Sequence, residues 1–330
     1  MNDASDAHLS ARALWYMGPQ DAAIRGCDKI APTGDTHVCV RSLAGAISRG
    51  TERLIWRGEV PRSEWQRMRA PHQSGAFPYP VKYGYAVVGT VIGGDPSLLG
   101  RTVFALHPHQ TVFTLPREDV VPVPDGIPPE RAVLAANMET ALNAVWDSGA
   151  GPSDCIAVVG GGVVGLLTAA LAAGLPGAEV TLIDVDAARA DLARRLGLGF
   201  AAPADAPEGC DVVFHASGRP AGLATALAAA GREATVVELS WYGDTPVTVP
   251  LGGNFHSGRL RIVSSQVGAV APSRRPRWSP RRRLEAAMAL LADDRLDALL
   301  SPPIPFETLP GRLAAVFADA GGAPCPLIRY

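Results

Sequence analysis

An excess of charge of one sign and a long uninterrupted apolar run are both missing from this sequence. The chain carries 30 Lys and Arg against 32 Asp and Glu, for a formal net charge of -2. Proteins that bind nucleic acid through its phosphates need a basic surface to displace counterions, so we expect no nucleic-acid partner. The apolar stretch Val163 to Leu175 is too short to cross a bilayer and is broken by glycines. We therefore expect no membrane-spanning segment.

Cysteine is scarce and scattered. The chain has no Cys-x-x-Cys pair and no regular cysteine spacing; its five cysteines are Cys27, Cys39, Cys155, Cys210 and Cys325. Neither a disulfide framework nor a structural zinc site is therefore indicated. The segment Met1 to Ala11 also lacks the basic end and apolar run of a secretory signal. Together these absences predict a cytoplasmic protein in a reducing compartment.

Apolar residues and turn formers are abundant. Hydrophobic residues make up 47% of the 330 residues and charged residues 19%, with 35 glycines and 29 prolines. This composition is typical of a globular protein with many tight turns. A chain of this length exceeds what one compact core usually organises, so we expect two domains that share a cleft.

The pattern of apolar residues changes along the chain. From Arg12 to about Pro124, short apolar runs are separated by Gly and Pro, which indicates β-rich structure with long loops. A helix is predicted from Pro129 to about Asp147. Beyond it, strand-length apolar segments alternate with helix-length segments, so we predict an α/β fold with a parallel sheet covered on both faces.

The predicted elements of this second part also set the domain boundaries. They are Cys155 to Val159, Val163 to Ala173, Val180 to Asp184, Ala187 to Leu196, Asp211 to Phe214, Gly222 to Ala230, Ala234 to Leu239 and Leu260 to Ser264. Residues 1–146 are predicted to form the first domain and residues 147–278 the second. Residues 279–330, with a helix near Arg282 to Ala292, are predicted to return to the first domain.

A glycine motif follows the first predicted strand of the second domain. Gly160, Gly162 and Gly165 form Gly-x-Gly-x-x-Gly between an apolar strand and a helix. The first glycine allows a tight turn, the second lets the backbone approach a pyrophosphate, and the third lets helix and strand pack closely. We expect the pyrophosphate at the helix N-terminus, beside Val163 and Val164, where free N–H groups favour negative charge. An ordinary tight turn is the alternative interpretation.

An acidic residue strengthens the prediction of a dinucleotide site. Asp184 ends the next predicted strand, about 20 residues beyond the glycines, where a carboxylate accepts hydrogen bonds from the adenosine ribose. It would repel the extra phosphate of NADP, so NAD is predicted, while Arg189 and Arg194 keep NADP possible. The structural alternative for Asp184 is a strand-end or helix-capping residue. The predicted cofactor-binding residues are Gly160, Gly162, Val163, Val164, Gly165, Asp184, Ser217 and Gly218.

Two loops resemble landmarks of a known family. Residues Ile47 to Glu52 read Ile-Ser-Arg-Gly-Thr-Glu, similar to the Gly-Ile-Cys-Gly-Thr-Asp loop of the medium-chain dehydrogenase/reductase family. Residues Pro80 to Ala86 read Pro-Val-Lys-Tyr-Gly-Tyr-Ala, similar to that family's Pro-x-x-x-Gly-His-Glu turn. The resemblance implies a GroES-like β-rich catalytic domain and a doubly wound Rossmann domain, with a small-molecule substrate bound between them. It also implies a homodimer joined through the Rossmann domains.

The chain departs from this family at its metal ligands. The family's zinc-binding cysteine falls on Arg49, its histidine on Tyr85 and the following glutamate on Ala86. Zinc is held by thiolate, imidazole or carboxylate, and Arg and Tyr supply neither the charge nor the softness. No cysteine lies between Cys39 and Cys155, where many relatives carry a structural zinc lobe. We therefore expect no zinc. Locally, the Ser-x-Gly-Thr-Glu loop is similar to that of bacteriochlorophyllide dehydrogenase, a likeness that carries no substrate.

Without zinc, other groups must stabilise charge on the substrate oxygen and move its proton. We predict Arg49 as a permanent cation that replaces the lost positive charge, and Thr51 at the family's proton-relay position. Tyr85 is predicted to act as a proton donor if a nearby cation lowers its pKa. Asn137 and Glu139 are predicted to orient the substrate or close the relay. The structural alternatives stay open: an ion pair between Arg49 and a glutamate, a packed Tyr85, and capping or solvent-facing positions for the other two.

Aromatic and basic residues mark three further segments. Trp241 and Tyr242 follow a predicted strand at the carboxyl edge of the sheet, where ligands collect, so we predict that they line the substrate side. The run Arg53 to Tyr83 is long enough for a lid, with a solvent loop or dimer contact as the alternative. The arginine-rich run Ser273 to Arg283 is interpreted as a solvated basic loop, with binding of an acidic substrate or of the cofactor phosphates as the alternative. The histidines of segment 107–109 are expected to be hydrogen-bonded strand-end residues rather than a metal pair.

Three functions fit these observations. The first is a zinc-independent, NAD(H)-dependent oxidoreductase that interconverts a secondary alcohol and a ketone. The second is quinone-oxidoreductase-like reduction of a conjugated alkene, which needs only an oxyanion stabiliser; Asp184 counts against it because such reductases commonly use NADPH. The third is a non-catalytic dinucleotide-binding protein, since a fold alone does not establish an activity.

Overall fold

The computed structural model describes residues 9–30, 34–318 and 322–330. The chain divides into unit 1, formed by Met1–Ala136 with Leu300–Tyr330, and unit 2, formed by Asn137–Leu299. The boundaries predicted after residues 146 and 278 differ from these. The physical reason is that the segments just outside the predicted second domain bond to residues inside it: Asn143 accepts from the N–H of Ala271, and Arg283 donates to the carbonyl oxygens of Ala269 and Val267.

The strands of the described residues are, in chain order, β1 Leu9–Gly18, β2 Asp21–Ile30, β3 His37–Ala46, β4 Ser74–Gly75, β5 Val81–Lys82, β6 Val87–Gly94, β7 Thr102–Ala105, β8 Val112–Pro116, β9 Val120–Pro122, β10 Cys155–Val159, β11 Glu179–Ile183, β12 Gly199–Ala201, β13 Cys210–His215, β14 Ala230–Glu238, β15 Arg261–Ser264, β16 Ile304–Pro305 and β17 Leu327–Arg329.

The helices are α1 Thr51–Arg57, α2 Pro129–Ala132, α3 Ala135–Ser148, α4 Val163–Ala173, α5 Arg189–Arg195, α6 Pro220–Ala229, α7 Asn254–Ser257, α8 Pro280–Leu290 and α9 Leu309–Val316. Short 3-10 helices lie at Arg62–Glu64, Arg117–Asp119, Pro203–Asp205, Asp294–Leu299 and Phe306–Thr308. Within the described ranges, none of the helices has both the length and the apolar character that crossing a membrane requires.

Unit 1 consists mainly of two β-sheets. One has the strand order β2-β1-β5-β4, and the other the order β16-β17-β3-β6-β7-β9 with β8 also paired to β3. Near the C-terminus, β17 pairs antiparallel with β3, so Leu327 lies opposite Ala46. The C-terminal segment thereby completes the larger sheet of unit 1.

The segment 53–83, considered above as a lid, contributes to the hydrophobic core of unit 1. Trp56, Phe77 and Tyr83 are buried and pack with Leu14 and Phe306 in one cluster. Removing such large aromatic side chains from water is strongly favourable, which fixes the segment against the sheet. The lid interpretation is therefore wrong for these aromatic residues.

Unit 2 is a six-stranded parallel sheet with the order β12-β11-β10-β13-β14-β15. The chain moves outward from β10 in one direction through β11 and β12, and then in the other direction from β13, so the strand order reverses between β10 and β13. Ligands bind at this kind of reversal, beyond the carboxyl ends of the strands. The sequence predicts every strand of this sheet except β12, whose three residues Gly199–Ala201 are too short for an apolar pattern.

Candidate functional site

The glycine loop after β10 has a backbone that other residues do not fit. Gly160 has φ +110°, and a Cβ there would lie 2.6 Å from the backbone nitrogen of Ser217. A Cβ on Gly165, in the first turn of α4, would lie 1.9 Å from the carbonyl oxygen of Gly160. The tight turn and the close packing of α4 therefore both require glycine. Gly162 differs, since a Cβ there would meet nothing within 4 Å.

The start of α4 offers hydrogen-bond donors to an anion. The helix begins at Val163, and its N-cap residue Gly162 supplies no side-chain hydrogen bond. The first N–H groups of a helix have no partner inside it and carry the positive end of its dipole. Gly162 is exposed, while Val163 and Val164 are half-buried. These donors and the space above Gly162 fit a dinucleotide pyrophosphate.

Asp184 faces the same loop from the end of β11. Its Oδ2 atom accepts a hydrogen bond from the N–H of Gly161 at 2.5 Å, and its Oδ1 atom accepts one from the N–H of Asp186 at 2.8 Å. An ionised carboxylate has about four acceptor positions, so room is left for ribose hydroxyls. The strand-end role and the ribose-binding role of Asp184 are thus compatible.

The two arginines that kept NADP possible have other partners. The Nε atom of Arg189 lies 3.4 Å from Oδ2 of Asp186. Arg194 is paired with Asp191 of the same helix, and its side chain is 78% exposed. Because both guanidinium groups are paired with carboxylates of unit 2, neither presents an unpaired charge to a 2′-phosphate.

A buried histidine links the ends of β13 and β14. The Nδ1 atom of His215 lies 2.8 Å from both carboxylate oxygens of Glu238, and its Nε2 atom lies 2.6 Å from Oγ of Ser217. The side chain of His215 is 0% exposed. Glu238 also accepts hydrogen bonds from the N–H of Ser240 at 2.7 Å and the hydroxyl of Tyr242 at 3.2 Å. We call these five residues the His215 network.

The His215 network contains a serine, a histidine and a glutamate in hydrogen-bonded series, the arrangement that activates serine nucleophiles. A Cβ on Gly222 of α6 would, however, lie only 2.1 Å from Oγ of Ser217. The hydroxyl therefore packs directly against the helix backbone, which leaves no room on that side for an electrophile. The geometry favours a role for the network in holding protons and orienting hydrogen bonds.

Sequence reasoning placed Ser217 and Tyr242 near the ligand and missed the histidine and glutamate between them. The available signal was a histidine at one strand end and a glutamate at the next, in register: His215 is paired with Glu238 across β13 and β14. Trp241, predicted as a substrate wall, is 41% exposed. Burial and the neighbouring Glu238 raise the pKa of Tyr242, so its hydroxyl remains protonated.

In unit 1 the structure brings together two of the predicted catalytic residues. The hydroxyl of Tyr85 lies 3.4 Å from Oγ1 of Thr51, at the start of α1. Arg49, on the preceding turn, donates from Nη2 to the carbonyl oxygen of Ala318 at 2.6 Å. The two hydroxyls lie together and can donate hydrogen bonds, so the start of α1 suits a substrate oxygen that carries negative charge.

The condition under which Tyr85 would readily give up its proton, a nearby cation that lowers its pKa, is not met. Burial raises the pKa of this phenol, and Glu52 adds to the rise, while hydrogen bonds with Ser48 and Thr51 oppose it. No cation outweighs the burial, so the phenol stays protonated at neutral pH. Tyr85 is therefore a hydrogen-bond donor that gives up its own proton reluctantly.

A buried glutamate lies behind this pair. Glu52 is 0% exposed; its Oε2 atom accepts from the hydroxyl of Tyr16 at 2.7 Å and lies 3.0 Å from Nε2 of His109, and its Oε1 atom accepts from the N–H of Ser48 at 2.8 Å. Gly84 is needed here, because a Cβ on it would lie 2.8 Å from the His109 ring. The network fixes the turn that carries Thr51, and His109 is hydrogen-bonded, as expected of it.

The two predicted residues of α3 belong to unit 2. Glu139 is buried, and its carboxylate lies 3.0 Å from Nε of Arg283. Burial raises the pKa of Glu139, and the Arg283 guanidinium opposes that rise. Asn137 is half-buried on the same helix. The structural alternative of an ion pair thus fits Glu139, with Arg283 rather than Arg49 as its partner.

Arg283 corrects the interpretation of the arginine-rich run as wholly solvated. Its side chain is 2% exposed, and its guanidinium donates to Oδ1 of Asn143 at 2.6 Å and to the carbonyl oxygens of Ala269 and Val267. Arg275, Arg277 and Arg282 are exposed, and Arg282 lies over the ring of Trp278 at 4.1 Å. One arginine of the run is therefore part of the core of unit 2.

The donor set at the family's zinc position does not fit a zinc ion. Arg49 is a cation with no lone pair to give, and the phenol of Tyr85 stays protonated. The nearest carboxylate of that loop, Glu52, is already bonded to Tyr16 and His109. Across the described residues, no three or more His, Cys, Asp or Glu side chains are grouped as metal ligands would be.

Comparison with known proteins gives relatives along most of the chain. No model of a known protein family matches it. It is 26% identical over 306 residues to D-guloside 3-dehydrogenase of Escherichia coli K12, covering 83% of this chain and 87% of that relative. A Sinorhizobium meliloti 1021 structure, described as a zinc-binding dehydrogenase bound to NADP, covers 98% of this chain at 20% identity with a TM-score of 0.77, and all of its own chain. L-idonate 5-dehydrogenase of Escherichia coli covers 98% at 16% identity with a TM-score of 0.79, and 99% of its own chain.

Proposed function

We propose that this chain belongs to the medium-chain dehydrogenase/reductase family and that it is an oxidoreductase acting on CH–OH groups with a nicotinamide dinucleotide. The observation that carries the proposal is the site in unit 2. The glycine loop and the open start of α4 would bind a pyrophosphate, and the carboxylate of Asp184, which accepts from the N–H of Gly161 in that loop, would bind a ribose. A bound nicotinamide would supply the hydride acceptor or donor.

The cofactor we propose is NAD(H). A carboxylate at Asp184 would repel the 2′-phosphate of NADP, and the following residue, Val185, is an 88% exposed apolar side chain that would offer no charge to that phosphate. Arg189 and Arg194 are paired with Asp186 and Asp191. The Sinorhizobium relative is bound to NADP, so the two dinucleotides must be compared directly.

The substrate we propose is a small secondary alcohol or its ketone. Relatives named for oxidising one hydroxyl of a sugar or polyol support this class. Within unit 1, Thr51 and Tyr85 would hydrogen-bond the substrate oxygen, and Arg49 would stabilise negative charge on it. We propose that this donor set replaces zinc. Asn137 and Glu139 would not contact the substrate and would affect the reaction only by holding α3 in position.

Reduction of a conjugated alkene is the second candidate. It is favoured by the phenol of Tyr85, which remains protonated and is therefore suited to donate a hydrogen bond to an enolate oxygen. Incubation with NADH or NADPH and a panel of ketones, quinones and enones separates the candidates. Turnover confined to enones would favour the second, and tight dinucleotide binding without any turnover would favour a non-catalytic role.

The first test is titration calorimetry with NAD and NADP, with metal analysis of the same preparation. We expect NAD to bind, NADP to bind much more weakly and zinc to be present well below one per chain. One zinc per chain would contradict the role given to Arg49 and Tyr85. Failure of both dinucleotides to bind would contradict the oxidoreductase itself.

Exchange of Asp184 for asparagine tests the cofactor preference. The amide keeps an acceptor oxygen and a similar shape but loses the charge, so NAD affinity should fall about 10-fold or more, as expected for a lost charge-assisted hydrogen bond. NADP affinity should rise. Asp211→Asn is the matched control, because Asp211 lies at the opposite end of the sheet and accepts only from the N–H of Cys155. Equal losses for both dinucleotides would argue against a ribose contact.

We also propose a homodimer formed through unit 2. The edge strand β15 pairs with β14 on one side, and Ile262 on it is 38% exposed. Light scattering should give twice the chain mass of 34.4 kDa. Ile262→Asp should shift the protein toward the monomer, since a charge on an edge strand opposes strand pairing. A wild-type monomer at micromolar concentration would contradict this proposal.

A further inference from the structure

His215 and Glu238 have no role in the function proposed above, although they are the two ionisable partners at the centre of the His215 network. We propose that this pair stores a proton and thereby compensates the change in charge between the oxidised and the reduced nicotinamide. The inference rests on the proposed function, because it requires that unit 2 binds a nicotinamide dinucleotide. It assigns a positioning role to two residues of the carboxyl edge of the sheet.

The hydrogen bonds fix the protonation pattern of the neutral network. An ionised carboxylate only accepts hydrogen bonds, so the Nδ1–H group of His215 donates to Glu238 at 2.8 Å. The Nε2 atom then accepts from the hydroxyl of Ser217 at 2.6 Å. Ser217 in turn accepts from the N–H of Arg219 at 3.2 Å. In this state the pair carries one negative charge, on Glu238.

Protonation of His215 changes two properties at once. The imidazolium donates through both nitrogens, so the pair becomes neutral overall. The Nε2–H group then donates to Oγ of Ser217, so Ser217 changes from a donor into an acceptor in this bond and its hydroxyl hydrogen turns elsewhere. Imidazole is the side chain that gains a proton most readily between pH 5 and 8. The carboxylate beside it supplies the opposite charge that the imidazolium needs in a buried place.

Within the described residues, the elements packed against this pair contribute few other ionisable groups. The helices that pack on β13 are α4 and α6, and neither contains an ionisable residue. The hydroxyl of Tyr242 contacts Glu238, and burial raises its pKa so that it stays neutral. Arg219 is exposed beside the network. Other ionisable residues of β10 and β13 lie at the opposite strand ends: Cys155, Cys210 and Asp211.

The network also adjoins the proposed cofactor loop. The backbone of Ser217 lies so close to Gly160 that a Cβ on the glycine would be 2.6 Å from its nitrogen. The N–H of Gly218 donates to Oγ of Ser240 at 2.9 Å, which ties the loop after β13 to the loop after β14. Both loops leave the carboxyl edge of the sheet beside the strand-order reversal, where a dinucleotide binds.

The sign of the effect follows from the charges. The oxidised nicotinamide ring is positive and the reduced ring is neutral, while the pyrophosphate is negative in both. The anionic pair therefore favours the oxidised form, and the protonated pair favours the reduced form. Oxidation of a secondary alcohol to a ketone delivers a hydride to NAD⁺ and releases one proton. His215 is placed to hold a proton when the positive charge of the ring disappears.

Proton uptake on binding tests the inference without any turnover. Calorimetric titration of the wild-type protein with NADH, repeated in buffers of different ionisation enthalpy, reports the number of protons taken up per dinucleotide. Near pH 7 we expect clear uptake for NADH, and less or none for NAD⁺. Between pH 6 and 8 the NADH affinity should fall by about tenfold and the NAD⁺ affinity by less than about threefold, since a single linked proton sets a ceiling of tenfold per pH unit.

Two variants separate charge storage from simple support of the fold. Glu238→Gln keeps an acceptor for Nδ1–H and removes the negative charge, and His215→Gln removes the titrating group. Both should lose the proton uptake and the difference in pH dependence between NADH and NAD⁺. His256→Gln is the matched control, because His256 is an exposed histidine on α7 of the same unit. Thermal unfolding of each variant checks that it is folded.

The outcomes are distinct. Binding of both dinucleotides with no proton uptake, or with uptake that survives in His215→Gln and Glu238→Gln, would overturn this inference and leave the proposed function standing. Absence of binding at every pH would overturn the proposed function together with the inference. Loss of proton uptake in the His256→Gln control would show that His256 rather than His215 takes up the proton, and would also overturn the inference.

Discussion

Replacement of Arg283 by methionine is expected to lower the free energy of unfolding by about 3–5 kcal/mol, the usual cost of leaving a buried charge without its partner. The guanidinium is 2% exposed and bonds to Glu139, Asn143 and two loop carbonyls. Methionine fills part of the volume but leaves Glu139 and these oxygens unsatisfied. Chemical denaturation followed by circular dichroism measures the loss.

A neighbouring arginine gives the matched control. Arg281 lies on the same helix in a partly exposed ion pair with Glu285, and Arg281→Met should cost less than about 1 kcal/mol. The double variant Arg283→Met with Glu139→Leu should recover much of the loss, because it removes both buried charges. An equal loss in the free energy of unfolding for Arg281→Met and Arg283→Met would show that the buried network adds no more stability than an exposed ion pair.

The Arg283→Met deficit should also depend on pH. Burial already raises the pKa of Glu139 against the opposing effect of Arg283, and removal of the guanidinium raises it further. A carboxyl whose pKa is raised by folding binds its proton more tightly in the folded state, so it favours folding at low pH and loses that contribution as the pH rises. The deficit should therefore shrink from pH 8 toward pH 5. A constant deficit would contradict this account.

Replacement of Gly162 by alanine is expected to lower dinucleotide affinity by at least about tenfold while leaving the protein nearly as stable, because the second glycine of the motif makes room for the pyrophosphate. A Cβ at this position meets nothing within 4 Å of the protein itself, and the backbone is not in the left-handed region. The change at the helix N-cap should cost less than about 1 kcal/mol. Calorimetric titration and thermal unfolding measure the two quantities separately.

Two other glycine-to-alanine variants serve as controls for Gly162→Ala, one expected to destabilise the protein and one expected to have no effect. Gly165→Ala should destabilise unit 2 by about 1–3 kcal/mol or more, since its Cβ would overlap the carbonyl oxygen of Gly160. Gly151→Ala should change neither stability nor binding, because its Cβ is free and it lies before β10, away from the loop. Unchanged affinity in Gly162→Ala would place the pyrophosphate elsewhere and would remove the main support of the proposed function.

The elements of unit 2 were largely predictable because the residues within each element carry its characteristic pattern. The strand Cys155–Val159 and the helix Val163–Ala173 match their predicted bounds, and the glycines between them follow a pattern with a physical reason at each position. Other strands shift by one to four residues at their ends, as at β14, which begins at Ala230 rather than Ala234, and the helix predicted from Pro129 to Asp147 forms as the two helices α2 and α3. Side-chain periodicity fixes the type of an element more firmly than its end.

The networks of the candidate site were not predictable in the same way. His215 meets Glu238 only because two strands are paired in one register, and Arg283 meets Glu139 across more than half of unit 2 along the chain. Tyr85 illustrates the same limit, since the sign of its pKa shift depends on how deeply its hydroxyl is buried and on which charges lie near it. The residues that flank Tyr85 along the chain determine neither the burial of its hydroxyl nor the charges near it.

The sequence by itself determined the α/β class of unit 2, the glycine loop at the start of α4 and the absence of family zinc ligands at Arg49 and Tyr85. Each of these is a statement about residues close together along the chain, where backbone geometry and side-chain chemistry decide the outcome. The tertiary structure alone decided that Glu139 pairs with Arg283 and that His215 is hydrogen-bonded to Glu238 and Ser217. Burial and long-range pairing set these partners, because a charge taken out of water must find whichever opposite charge or hydrogen-bonding group the fold brings beside it.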